Sequence, residues 1–248
     1  MSTAAAAVAS ASGNRYDCRF RDAAKIVVTG PSGCGKTALT VDLILHSELA
    51  FETQPTEVYV FYVHAQPAYE VLRDKCRVPV YLIEGPPDED FRPTRDGACV
   101  VFDDLGNYNS SQISDFYLRK SHHYSTSATI HLTQNLFSAH RTNRDIHLNA
   151  SYLILFRPRR DLGQLEKLNY SLLGRGHSNF LVDVFKALSS RGPYTYLLID
   201  IEGRTPDAFK FRSSAVPASG ETLVFRPRPA TRGNSRSQDF STARFKKG

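Results

Sequence analysis

Apolar residues along this chain fall into short runs divided by stretches of helical spacing. Residues 25–29 (KIVVT), 58–63 (VYVFYV), 80–83 (VYLI), 98–102 (ACVVF), 128–132 (ATIHL), 152–156 (YLILF) and 194–201 (YTYLLIDI) have the β-branched and aromatic content of buried strands. Between them, residues 36–49 place Leu39, Leu43 and Ile44 on one helical face, and Pro67 opens a short helix with Tyr69, Val71 and Leu72. Ser110 or Ser111 caps a helix through residue 120 that carries Ile113, Phe116 and Tyr117. Further helices are predicted over 137–146, from 157 to 173 with Gly174 as the stop, and over 180–188. Strands alternating with helices predict an α/β fold with a mostly parallel central sheet and helices on both faces. The last strand is expected at 194–201, and the acidic, proline-rich segment 84–95 (EGPPDEDFRPTR) is a surface loop.

The two ends break this pattern. Small residues without periodicity predict a disordered leader over 1–18, and Ser, Pro, Arg and Gly predict a disordered tail over 204–248. One ordered domain, 19–203, is left between them. Charge separates the parts further. The chain of 248 residues carries a net +6, but residues 204–248 hold ten basic against three acidic residues, so the domain itself is close to neutral. A surface for DNA on the domain must then be a local patch, while tail residues Arg226, Arg228, Arg232, Arg236, Arg244, Lys246 and Lys247 are candidates for phosphate contact. Phe225, Phe240 and Phe245 are candidates to stack on bases or anchor a partner protein, and a tail serving only solubility or nuclear import is the competing expectation. Cys18, Cys34, Cys76 and Cys99 show no paired spacing, which points to a reducing intracellular compartment. No apolar run approaches the roughly 18 residues of a membrane span.

Candidate chemistry begins directly after the first strand. Gly30-Pro31-Ser32-Gly33-Cys34-Gly35-Lys36-Thr37 has the spacing G-x-x-x-x-G-K-T, with a strand before it and a helix after it. The glycines allow a turn that aims successive backbone N–H groups at phosphate oxygens, and the helix N-terminus adds its partial positive charge. Lys36 is placed to reach the β- and γ-phosphates, and the Thr37 hydroxyl to ligate Mg²⁺. The expected ligand is a nucleoside triphosphate with Mg²⁺.

Two further strand ends carry polar groups. Residues 100–104 (VVFDD) finish a strand, expected beside the first one, with two carboxylates. Asp103 is assigned to the metal, and Asp104 to orienting or deprotonating the attacking water. Thr133-Gln134-Asn135 ends another strand, and Gln134 is the candidate sensor of the γ-phosphate. His122-His123 has no acid or cysteine cluster around it, and its place at a helix C-terminus favours a capping role over a metal.

The chain resembles the FtsK/HerA-type viral genome-packaging ATPases, the group that includes the poxvirus packaging ATPase and its relatives in Polinton-like and adintovirus-like elements. The resemblance rests on GPSGCGKT at 30–37, VVFDDL at 100–105, SHH at 121–123, TQNLF at 133–137, RDIHLN at 144–149 and LFRPRRD at 155–161, in the family's order across residues 20–173. It implies an additional-strand P-loop NTPase fold, in which Lys36 and Thr37 bind triphosphate and Mg²⁺, Asp103 and Asp104 are the metal-side and catalytic acids, and Gln134 is the sensor. One departure matters: much of the superfamily has Asp-Glu where this chain has Asp103-Asp104, and the shorter side chain brings the water closer or adds a second one. The resemblance also implies a homo-oligomeric ring in which an arginine of one subunit completes its neighbour's site. Arg144 ranks first among the candidates Arg141, Arg144, Arg157 and Arg159.

The implied activity is ATP hydrolysis that drives double-stranded DNA into a preformed capsid. The implied partners are DNA, further copies of the chain, and capsid or portal-vertex proteins, with no membrane. The implied location is the host nucleus, a cytoplasmic assembly site or the virion. A cellular or plasmid translocase of the HerA class is the alternative. A small-molecule P-loop kinase would use the arginines at 157–160 as a lid, but TQNLF and the twin aspartates fit it poorly.

Overall fold

The computed structural model describes residues 8–11, 14–105, 111–135, 141–158, 162–174, 179–215, 221–228 and 240–246. In chain order these form β1 (Val8–Ala11), β2 (Asn14–Asp17), β3 (Ala24–Thr29), α1 (Lys36–Leu45), α2 (Ser47–Ala50), β4 (Val58–Tyr62), α3 (Pro67–Lys75), β5 (Val80–Glu84) and β6 (Cys99–Asp103). There follow α4 (Ser111–Asp115), a π-helical turn (Phe116–Lys120), α5 (Ser121–His123), β7 (Ala128–Thr133), α6 (Arg141–Leu148), β8 (Tyr152–Phe156), α7 (Leu162–Leu173) and α8 (Phe180–Ser189). The chain closes with β9 (Tyr196–Asp200), β10 (Phe211–Arg212), β11 (Glu221–Pro227) and β12 (Phe240–Lys246).

Ten strands make one sheet in the order β12-β11-β10-β9-β8-β3-β7-β6-β4-β5. From β8 to β5 every neighbour is parallel, and from β8 through β12 every neighbour is antiparallel. Both faces of the parallel part are covered, which is why its strands read as continuous apolar runs. Side-chain alternation assigns the faces. Ile26, Val28, Val60 and Ile130 pack under α1 and α3 with Val41, Leu43 and Leu72. Val27, Phe61, Phe102 and Leu153 pack on the other face against Phe116, Ile146, Leu165 and Val184 of the remaining helices. The expected α/β layering is thus present. Among the described residues no helix is long and apolar enough to cross a membrane, and none of the four cysteines is in a disulfide.

Three expectations are corrected. The acid-bearing strand β6 is not beside β3: β7 lies between them, so the sensor strand separates the phosphate loop from the acids. Second, the described part of 204–248 is not disordered, and 194–201 is not the last strand. β10, β11 and β12 extend the sheet, with Val224 and Phe225 buried and Phe225 set edge-on to Phe240 at 5.6 Å. Those two rings are core, not free to stack on bases. A buried ion pair holds this extension: Arg212 Nη2 lies 3.0 Å from Asp200 Oδ2, with side chains 1% and 2% exposed. Thr205 Oγ1 donates to Asp200 and Arg212 Nη1 donates to the Phe209 carbonyl, which offsets part of the cost of burying these charges, while Arg212 Nε has no hydrogen-bond partner among the described residues. Third, part of the leader is a hairpin. β1 and β2 pair antiparallel, and Tyr16 stacks on Phe209 at 4.9 Å. Tail residues Arg232, Arg236 and Lys247, Ser110 of the predicted cap, and residues 136–140 lie outside the described residues.

Candidate functional site

The carboxyl ends of β3, β4, β6, β7 and β8 share one edge of the parallel sheet, and ligand groups of open α/β sheets gather at such edges. The phosphate loop leaves β3 there. Gly30 N donates to the Thr133 carbonyl at 3.2 Å, so the loop is tied to the end of β7 from its first residue. A β-carbon on Gly30 would stand 2.6 Å from Cβ of Phe156, and therefore no larger residue fits. Gly35 has φ 102° as the residue preceding α1, a conformation that side chains resist. The α1 N-terminus then begins at Lys36, with its unpaired N–H groups facing the loop.

Lys36 folds back over this loop. Its Nζ donates to the carbonyls of Gly30 at 2.8 Å and Pro31 at 3.1 Å. A γ-phosphate offers this ammonium stronger, charged acceptors than two carbonyls do. Thr37 Oγ1 donates to Asp103 Oδ2 at 3.1 Å, which joins the two expected metal ligands directly. A hydroxyl and a carboxylate are hard oxygen donors of the kind Mg²⁺ takes, usually with one or two carboxylates beside substrate phosphates. The residues present therefore fit that ion. Among the described residues no group of three or more His, Cys, Asp and Glu side chains forms a separate metal site.

Asp103 has two partners the sequence reading missed. Gln66 Nε2 donates to Oδ2 at 3.1 Å, and the Tyr69 hydroxyl donates to the same oxygen. Burial pushes the Asp103 carboxyl above the usual carboxylate range, while the Tyr69 and Thr37 hydrogen bonds pull it down. Burial, then the nearby Asp103 charge, pushes the Tyr69 phenol far above its ordinary value, so it stays a donor. Gln66 and Tyr69 follow the end of β4, the strand next to β6, and no sequence signal ties them to Asp103 until that pairing is known.

Asp104 is different in every respect. Asp103 is 4% exposed and its neighbour is solvent-exposed. Its φ of 55° is uncommon for a residue with a side chain and turns the chain off the strand end. Gln134 Nε2 donates to Asp104 Oδ2 at 2.9 Å, so the candidate water-handling acid and the candidate sensor form one unit across β6 and β7. Thr133 and Asn135 close the strand end through an N–H to hydroxyl contact of 3.4 Å.

Of the candidate arginines, neither Arg144 nor Arg157 is brought to this group within one chain. Arg144 is exposed on α6, and among the described residues it does not bond the Asp103–Gln134 group. Arg157 Nη1 donates to Ser189 Oγ at 2.7 Å, which gives it a local structural partner. Arg141 is placed on α6 by its backbone alone, and Arg159 lies outside the described residues. His122, expected as a protonated cap, is pushed down in pKa by burial and then by the charges of Lys25 and His123.

No protein-family model matches the chain, and no curated protein matches it. Among solved structures, the genome packaging NTPase B204 from Sulfolobus turreted icosahedral virus 2, in complex with ATP-gammaS, aligns at 13% identity and TM-score 0.42. The alignment covers 77% of this chain and 96% of that one. The Legionella pneumophila ATPase DotB aligns at 13% identity and TM-score 0.34, over 56% of this chain and 41% of its own. Both likenesses are distant, and neither assigns a role to a residue here.

Proposed function

We propose that this protein is an Mg²⁺-dependent ATPase that moves double-stranded DNA, acting as a homo-oligomeric ring in packaging a genome into a preformed capsid. The observation that carries the ATPase part is the Asp104–Gln134 pair beside the Thr37–Asp103 pair, on one sheet edge with the phosphate loop. A site that only bound nucleotide would need the loop but not a second, exposed carboxylate held by an amide. The DNA and packaging part is supported by the ordered motifs at 30–37, 100–105, 133–137 and 155–161 and by their family resemblance.

In this reading backbone N–H groups of Gly33 to Thr37 hold the triphosphate, and Lys36 releases its carbonyl contacts to neutralise γ-phosphate charge. Thr37 and Asp103 would hold Mg²⁺, which would supply neutralisation of the triphosphate charge. Asp104 accepts a hydrogen bond from the attacking water and takes its proton, and Gln134 fixes that carboxylate and senses whether the γ-phosphate is present. Arg144 of a neighbouring copy would complete the site. The test is the ATPase rate with and without long duplex DNA. A severalfold rise supports a DNA motor; a DNA-indifferent rate with phosphate passed to a nucleoside returns the kinase reading.

A further inference from the structure

Tyr194 is 68% exposed, the second most exposed large apolar side chain among the described residues. A single exposed aromatic is ordinary, but its position here is not. β9 runs antiparallel to β8 with Tyr196 opposite Phe156, so Tyr194 lies just past the carboxyl end of β8, on the same sheet edge as the phosphate loop. A β-carbon on Gly35 would stand 3.5 Å from Tyr194 Cδ1 and 3.8 Å from Phe156 Cε1. The ring therefore flanks the loop on the side away from Asp103, since β6 and β8 lie on opposite sides of β3.

Tyr194 also lines a cleft of about 220 Å³ together with Leu188, Arg191, Thr195, Tyr196 and Ser213. Clefts for whole drug-sized ligands run about 300–1,000 Å³, so this one suits one ring system of a larger molecule. It offers an apolar wall, a solvent-facing aromatic and several hydroxyls. The polyphosphate end of such a molecule has its place next door, on the loop.

We propose that Tyr194 and this cleft are the nucleobase subsite of the bound nucleotide, with the base stacked on the Tyr194 ring. The proposal rests on the nucleotide-binding reading above and adds the part of the site that the sequence motifs leave open. An exposed ring held at the mouth of the loop presents a π-face to the base at little ordering cost, because the neighbouring Tyr196 ring packs against Phe156 at 5.5 Å and Thr195 ties the turn to the Gly192 carbonyl. Ser213 Oγ accepts from Leu223 N and keeps a proton to donate, and Thr195 Oγ1 donates to the Gly192 carbonyl and can still accept, so the cleft lining retains a donor and an acceptor for a base edge.

The experiment is calorimetric titration of the full chain, in Mg²⁺, with ATP and separately with inorganic tripolyphosphate. Wild type is expected to bind ATP more tightly than tripolyphosphate. Tyr194→Ala should weaken ATP about tenfold, the size of a lost base–aromatic stack, and leave tripolyphosphate unchanged. Tyr194→Phe should keep ATP within about twofold of wild type, since the π-face remains. An unchanged ATP affinity in Tyr194→Ala overturns the proposal, as does an equal loss for both ligands. A wild-type chain that binds neither ligand overturns the phosphate-loop reading itself, a result distinct from either of these.

Discussion

The two halves of the sheet solve opposite problems. The parallel half, β5 to β8, is buried on both faces by helices in all but its edge strand β5, and it spends its strand ends on polar groups: Thr37, Asp103, Asp104 and Gln134 meet at one edge. The antiparallel half, β9 to β12, carries its polar groups inside. Its centre is the Asp200–Arg212 pair, where burial pushes the Asp200 carboxyl up and the Arg212 guanidinium pulls it down. In the proposed reading, carboxylates thus serve a ligand in one half and the fold in the other. The distinction is one of what lies next to them: open edge and phosphate loop, or a guanidinium sealed from water.

The sharpest way to break this contrast is Lys36→Ala. It should reduce ATP hydrolysis by about 10²–10³-fold, the scale of losing one preorganised charge donor. The melting temperature should stay near wild type, because Lys36 bonds only its own loop. Arg212→Ala should do the reverse. Leaving Asp200 buried without its partner costs about 3–5 kcal/mol, read by urea unfolding, while the hydrolysis rate per folded molecule is retained. A rate lost in proportion beyond the unfolded fraction would place the antiparallel half inside the chemistry.

Smaller effects sharpen the picture at the parallel edge. Gln66→Ala and Tyr69→Phe each remove one donor from Asp103. Each should raise the Mg²⁺ concentration for half-maximal hydrolysis about tenfold, as outer-shell partners of metal ligands do. The smallest is a pH effect. Burial holds the β7 imidazole of His131 at a pKa of about 3, below its ordinary 6.5, so the folded chain resists its protonation while the unfolded chain accepts it. Its contribution is therefore neutral above pH 6.5 and increasingly destabilising as pH falls toward 3. Asp103 and Asp200, with raised values, act in the opposite direction. The comparison must then be between wild type and His131→Gln: the stability difference measured at pH 7 should shift in favour of the variant at pH 5.

The halves also differ in how far the sequence discloses them. Strands buried on two faces must be nearly all apolar, and VVFD or YLILF is hard to mistake. The phosphate loop is legible because each residue type answers to one backbone or phosphate requirement. β10 offers no such mark: it is two residues long, and its arginine reads as tail charge until Asp200 is found beside it in space. β11 ends in Arg-Pro and β12 sets Phe240 and Phe245 among mostly polar residues, which a basic, serine-rich context disguises. The order β6-β7-β3 was equally hidden, since apolar runs specify strands but not which neighbour each takes. Gln66 and Tyr69 were missed for a narrower reason: their partner Asp103 lies more than thirty residues away, and only the β4–β6 pairing brings them together.

The most direct test concerns the exposed acid at the end of β6. Phosphate release should be measured at saturating ATP and Mg²⁺ for wild type and Asp104→Asn, with ATP binding determined on the same samples. Asp104→Asn should bind ATP as wild type does and hydrolyse it at least about 10²-fold more slowly, the scale of losing a positioned base. Wild-type turnover in the variant would contradict the assignment of hydrolysis to the Asp104–Gln134 pair.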